Sequence, residues 1–365
     1  MTTVDRRQAL AYRIAAHGLH RDSAELGVLD LGVQYVSVPA TAQALAARLP
    51  AGAAEPAGLV TVWSFRGAPH LLRRSDVDTL AGELWPRSDA DALARLGGEA
   101  TVLRRAGVAG LDAFRTTARE LRDIVTEERT KGEVSAEITS RLPAPYNYDC
   151  RSCGTTHVYN TLFQSMGLAA GVQVIAGSRP TVLAPIPDRA PPPAETTGAQ
   201  RVILAYLRLH GPATVAEAAG YLATTQAEAR RMWPANDVVE VDLDGRTAYV
   251  PADQLPALRT PPAPDLVRLL PPLDPFLQLR DRELLVPDQA RRKAVWKIIG
   301  NPGAVLAGTE IVGTWRPGKA SRKRLALEVT AFERLPAATR RGIEAEAALL
   351  AGLRGAAAAD VTFSD

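Results

Sequence analysis

Cysteine is scarce in this chain: there are two among 365 residues, Cys150 and Cys153. A single close pair cannot form the multi-bridge framework that holds small secreted domains together. Long apolar runs are also missing. No stretch approaches the ~18 apolar residues of a membrane span, and the opening MTTVDRRQALAYRI lacks the apolar core of a signal peptide. The expected address is therefore the cytoplasm, with no membrane partner. The third absence is a strong excess of one charge. A formal net charge of +3 does not by itself demand a polyanionic partner, because many metabolite enzymes carry as much.

What is present is an ordinary globular composition, 46% hydrophobic and 23% charged, able to bury a large core. A chain of 365 residues exceeds what one core usually serves, so two to four packed units are expected. Cations gather late in the sequence. Arg291, Arg292, Lys293 and Lys297 form one cluster, and Arg316, Lys319, Arg322, Lys323 and Arg324 form another. Converging on one face, they would make a phosphate-binding surface; otherwise they are a solvated helix face and a charged hairpin.

The clearest unit spans 198–258. Val202, Ile203, Tyr206 and Leu207 recur at helical spacing before the breaker Gly211-Pro212. Thr214 with Glu217, and Thr225 with Glu228, read as capping boxes that start two further short helices. Val239, Val241 and Leu243 then alternate with acidic residues up to Asp244-Gly245, a strong hairpin turn. Three helices followed by a hairpin describe a winged helix, whose recognition helix would carry Gln226, Arg230 and Arg231.

A similar order is expected over 111–184. Leu111, Phe114, Ala118, Leu121 and Val125 line one helix that Lys131-Gly132 would end, and Ser135–Leu142 would be the second. The third would lie near His157–Leu168, before a hairpin at 172–183. The Pro-rich stretch 185–197 reads as a stiff spacer. Residues 1–110 hold Ala-rich helices with no clear hairpin turn, and 265–365 hold short strands, a helix at about 337–353 and an Ala-rich tail after Gly355 expected to fray. The predicted class is mainly α with β wings (α+β): tandem winged-helix units plus a small β-rich C-terminal domain.

Laid out in order, these segments resemble the AlkZ and YcaQ-like family of winged-helix DNA glycosylases. The resemblance rests on Leu31-Gly32-Val33-Gln34-Tyr35-Val36, on Trp63-Ser64-Phe65-Arg66-Gly67-Ala68-Pro69-His70 with its Arg-Gly-x-x-His pattern, on Leu269–Leu277, and on Val312-Gly313-Thr314-Trp315-Arg316. It implies three winged-helix units as a concave basic scaffold on duplex DNA. It further implies excision of alkylated purines by a Gln-x-Gln or Gln-x-Asp motif that positions water at the sugar's anomeric carbon. An N-alkylated purine already carries positive charge, so its departure needs an oriented nucleophile more than a strong acid. Gln34 takes the first motif position as the candidate catalytic residue. The second is Val36, which cannot hold a water. Asp30, Tyr35 and Ser37 are its polar neighbours, and Tyr35, Val36, Arg66 and His70 are the candidate cavity residues. Flanking the cavity, Arg66 would hold a phosphate and His70 would orient a backbone group or act on the substrate; otherwise both merely satisfy local carbonyls at a strand end. Arg230, Arg231, Arg316, Lys319, Arg322, Lys323 and Arg324 are the candidate DNA contacts.

The cysteine pair remains outside that scheme. Cys150, Cys153 and His157 offer three ligands at a spacing that suits a zinc knuckle, without a fourth nearby. Asp149, a distant His17, His20 or His210, or water would have to complete it. Two reduced thiols packed at a helix start stand ahead of structural zinc and of a redox pair, so the expectation is a monomer with no cofactor and no metal. Three functions follow: a glycosylase acting on alkylated or bulky purines, a non-catalytic duplex-binding protein or regulator, and a cavity repurposed for a small-molecule natural product.

Overall fold

A computed structural model of the chain describes residues 1–364. The fold is mixed α and β. Over 198–258 the helices Gln200–His210, Val215–Leu222 and Gln226–Arg231 precede the paired strands Val238–Leu243 and Arg246–Pro251. Asp244 and Gly245 sit at φ of 49° and 83°, the left-handed pair that a two-residue hairpin turn requires. Thr214 and Glu217 close both halves of a capping box. At Thr225 only half forms. Its hydroxyl accepts from Glu228 N, but the Glu228 carboxylate turns away, accepting from Ser88 Oγ at 3.3 Å and pairing with Arg87 and Arg231. A buried carboxylate with two guanidiniums in reach has a better partner than a backbone amide.

The segment 111–184 differs from its expected layout. The first helix, Gly110–Ile124, stops before Lys131-Gly132, which opens the next helix, Lys131–Arg141. Thr130 and Glu133 form a complete capping box there, the same signature read at Thr214. His157 lies on a strand, Thr155–Val158, paired with Asn147–Cys150, and the following helices are short, Asn160–Ser165 and Gly167–Ala170. The cysteines accordingly stand on a β-hairpin, Cys153 exposed and Cys150 partly so, and not packed at a helix start.

Residues 1–110 contain a hairpin that periodicity did not reveal, Leu59–Trp63 with Pro69–Arg73. Its strands sit in a six-stranded sheet that runs, by residue number, 33–34, 69–73, 59–63, 172–174, 182–185 and 129–130. Strand Thr2–Val4 pairs parallel with Val238–Leu243. Residues from 26–84 and from 199–232 share one core, from Leu29 and Val62 to Tyr206 and Met232. The Pro-rich stretch is strapped to the surface: Arg74 donates to the carbonyls of Pro187 and Asp188, Arg122 to those of Arg189 and Ala190, and Thr197 N to Gly82 O.

The C-terminal region is a five-stranded sheet in the order 267–270, 303–307, 310–320, 324–331 and 358–364, with the helix Ala337–Leu353 against it. The tail expected to fray is instead an edge strand, Ala358–Ser364, parallel to Arg324–Ala331. Val361 and Phe363 pack on the core there, a period-2 signal hidden behind the alanine run. Buried ion pairs fix this region to the N-terminal segment: Arg13 to Asp281 at 2.7 Å and Arg48 to Asp274 at 2.6 Å, the latter fully buried. Among the described residues no helix is long and apolar enough to cross a membrane.

Candidate functional site

Gln34 is placed by its neighbours in the sequence. Gly32, at φ 78°, leads into the two-residue strand Val33–Gln34, and a Cβ there would lie 2.5 Å from Leu72 Cδ2, so only glycine lets the strand dock on Pro69–Arg73. Gln34 then faces a residue far away in sequence. Gln278 Nε2 donates to Gln34 Oε1 at 2.8 Å and reaches Leu273 O at 3.2 Å, while Gln278 Oε1 accepts from Arg66 Nη2 at 3.2 Å. The result is a chain, Arg66 to Gln278 to Gln34, in which each amide orientation is dictated by the next donor.

Arg66 is held in the left-handed region, φ 57° and ψ 27°, which costs a non-glycine residue about 1–2 kcal/mol. Its guanidinium offsets that by donating to Tyr221 O at 2.7 Å and lying 4.8 Å from the centre of the Tyr221 ring. Gly67, at φ 67°, completes the turn. His70 is cross-strand partner to Gln34 but is buried. Its Nδ1 lies 2.9 Å from Ala68 O and 3.1 Å from Ser64 Oγ; the carbonyl can only accept, so Nδ1 carries the proton. Burial, and next the Arg66 charge, lower its pKa to about 3. A neutral imidazole held by Ala68 orients the turn and does not exchange protons near neutral pH.

The polar neighbours of Val36 are engaged elsewhere. Tyr35 Oη accepts from Gly177 N at 2.9 Å, Asp30 pairs with Arg73 at 2.8 Å, and Ser37 caps the helix Val38–Ala46. Val36 itself is 45% exposed. Gln278, Tyr221 and the partly buried Arg280, whose Nε has no partner among the described residues, were not singled out in the sequence. Gln278 immediately follows the Leu269–Leu277 string, which was the available signal.

The cations divide. A cavity of about 830 Å³ is lined by Arg6, Arg246, Arg280, Arg282, Arg292 and Lys293, with Glu217, Asp244, Asp281 and Glu283 among them. Arg291 is paired with Glu333 and Arg292 with Glu283, and Lys297 is exposed beside Ile298 and Ile299, which are almost fully in solvent. On the hairpin Glu310–Ala320 and Arg324–Ala331, Arg316 donates to Gly300 O at 2.5 Å and Arg324 pairs with Asp360. Lys319, Arg322 and Lys323 are exposed and make no ion pair among the described residues. Arg230 is hydrogen-bonded to Gln226 and Arg231 is paired with Glu228; neither lines the cavity.

Cys150, Cys153 and His157 do come together, with Sγ, Sγ and a ring nitrogen all within 4.8 Å of one another. His17 and His210 are buried against each other at 5.0 Å, and Asp149 accepts from Thr156 at 2.8 Å, so none of these joins the cluster.

A family model described as DNA glycosylase AlkZ-like matches residues 25–353. No curated protein matches the chain. Among solved structures, Streptomyces sahachiroi DNA glycosylase AlkZ superposes with a TM-score of 0.74 at 21% sequence identity, covering 100% of both chains. At that identity the likeness is one of fold.

Proposed function

The chain belongs to the AlkZ-like DNA glycosylase family, and from that premise we propose that it binds duplex DNA through tandem winged-helix units and excises N-alkylated purines. The observation that carries the reading is the Arg66–Gln278–Gln34 chain. Gln34 Oε1 spends one lone pair on Gln278, and its second can accept a hydrogen bond from the attacking water and so orient it. The Arg66 charge polarises the Gln278 amide and locks its orientation, which in turn locks Gln34. The cationic purine leaves as the neutral base with the glycosidic electron pair, water bonds to the anomeric carbon and releases its proton to solvent, and the Gln34 carbonyl dipole faces the developing oxocarbenium. In this reading Gln278 acts through Gln34, holding its amide in place where Val36 offers no polar atom to share the work.

Duplex binding is supported chiefly by the exposed Lys319, Arg322 and Lys323, and by the excess of cations over carboxylates lining the cavity. The helices and hairpin of 198–258, and those of 111–184, are the candidate winged-helix units, and the 1–110 segment with its Leu59–Arg73 hairpin is the third. The exposed valine at the second motif position favours one alternative, a protein that holds duplex DNA without cutting it. Release of free N7-methylguanine from an alkylated duplex separates the two: a time-dependent, enzyme-stoichiometric release supports excision, and tight binding with no release from methylated or bulkier adducts leaves only the binding role.

A further inference from the structure

The strands Asn147–Cys150 and Thr155–Val158 pair with Tyr148 opposite His157 and Cys150 opposite Thr155. Gly154, at φ 65°, turns the intervening loop back so that Cys153 returns over Cys150. Both sulfurs and a His157 ring nitrogen then lie within 4.8 Å of one another. Among the described residues the His157 ring makes no hydrogen bond, and the Ser152 hydroxyl lies 3.1 Å from Cys150 Sγ and 3.9 Å from Cys153 Sγ. A tetrahedral zinc centre, with Zn–S of about 2.3 Å and Zn–N of about 2.0 Å, sets its ligand atoms about 3.5–3.8 Å apart. A contraction of about one ångström on a surface hairpin therefore closes the site.

We propose that Cys150, Cys153 and His157 bind one zinc ion, with a fourth position open to an exchangeable ligand. Two sulfurs and an imidazole are the donor set that zinc takes over calcium or magnesium. No fourth protein ligand joins the cluster among the described residues. Instead the three side chains share the wall of a hollow of about 410 Å³ with Lys131, Tyr148, Asn160 and Thr181. Two thiolates and a neutral imidazole balance the charge of the ion, so the open position takes water or a small anion, which the Lys131 ammonium in the same hollow favours. This site is independent of Gln34 and of the excision reading.

The test uses the full-length protein, purified under reductant and dialysed, with metal measured by elemental analysis and by Co²⁺ substitution. The expected result is one zinc per chain. Co²⁺ should show tetrahedral d–d bands with sulfur-to-cobalt charge transfer, and Cys153→Ser and His157→Gln should each weaken its binding by at least the about 10–100-fold that loss of even an outer-shell partner costs. Zn²⁺ should also shield both thiols of the wild-type protein from a thiol-alkylating reagent, a readout that does not depend on the variants folding. The proposal is overturned if the reduced wild type takes up no zinc, if both variants retain it, if alkylation proceeds at the same rate with and without Zn²⁺, or if the cysteines are recovered only as a disulfide that after reduction still binds nothing.

Discussion

Gln278 donates its amide to Gln34 at 2.8 Å although 244 positions separate them in sequence. Two residues acting through one water should behave as a unit. Gln34→Ala and Gln278→Ala are each expected to lower purine release by about 100-fold, and the double variant should lose little more than either single one. Losses that multiply would show that the two act separately.

Val36 is half in solvent, so a longer polar side chain fits there without disturbing the core. Val36→Gln rebuilds the motif's second amide and is expected to raise release about tenfold, with stability unchanged within about 0.5 kcal/mol. In that background Gln278→Ala should cost less than in the wild type. Single-turnover kinetics on a methylated duplex reads both; a Val36→Gln protein no faster than its parent would mean that the missing amide does not limit release.

Local signals were legible wherever a short-range rule decides the structure. The Thr214 capping box, the Asp244-Gly245 turn and the helix Ala337–Leu353 are where sequence reasoning put them. Failures came where a distant partner decides. Glu228 abandons its cap for Arg87 and Ser88, and the Ala358–Ser364 strand exists because Arg324–Ala331 offers it an edge. The Leu59–Arg73 hairpin turns on an arginine in left-handed conformation, a residue that no turn rule selects. Gln34 and Arg66 were visible from the family strings, whereas Gln278 has meaning only once the chain has folded back on itself.

Arg48 and Asp274 form a fully buried pair, and Asp274 also accepts from Phe276 N at 2.9 Å. Gln278 follows on the same turn, so this pair sets the frame for the site. Asp274→Ala leaves a guanidinium unpaired in the core and is expected to destabilise by about 3–5 kcal/mol, whereas Arg48→Met with Asp274→Leu should recover most of that loss. Urea unfolding measures both; equal midpoints for Asp274→Ala and wild type would refute the assignment.

His70 ties stability to pH. Its pKa is about 3 in the folded protein, below the usual 6.5, so between those values the unfolded chain binds the extra proton. Stability is therefore full above about pH 6.5 and lost as pH falls toward 3, at a slope of about 1.4 kcal/mol per pH unit for one histidine. Burial lowers His17 and His210 in the same direction, which steepens the overall fall. Replacing His70 by Gln should flatten the slope by that single increment in urea titrations at about pH 6 and pH 5. Parallel slopes for variant and wild type would show that His70 is protonated in the native state.

Arginines that already have a carboxylate partner should matter less to a phosphate backbone than lysines that do not. Lys319 and Lys323 are exposed without ion pairs among the described residues, whereas Arg231 is paired with the buried Glu228. A side chain that neutralises a phosphate releases counterions, contributing about 0.9 to the slope of log K against log salt. Lys319→Gln with Lys323→Gln should therefore weaken duplex binding across all sequences and reduce that slope by about 2, while Arg231→Gln should leave it nearly unchanged. Fluorescence anisotropy over a salt series reads the slopes directly. The opposite ranking would move the contact surface from the Glu310–Ala331 hairpin to the helix Gln226–Arg231, and with it the path by which a duplex reaches Gln34.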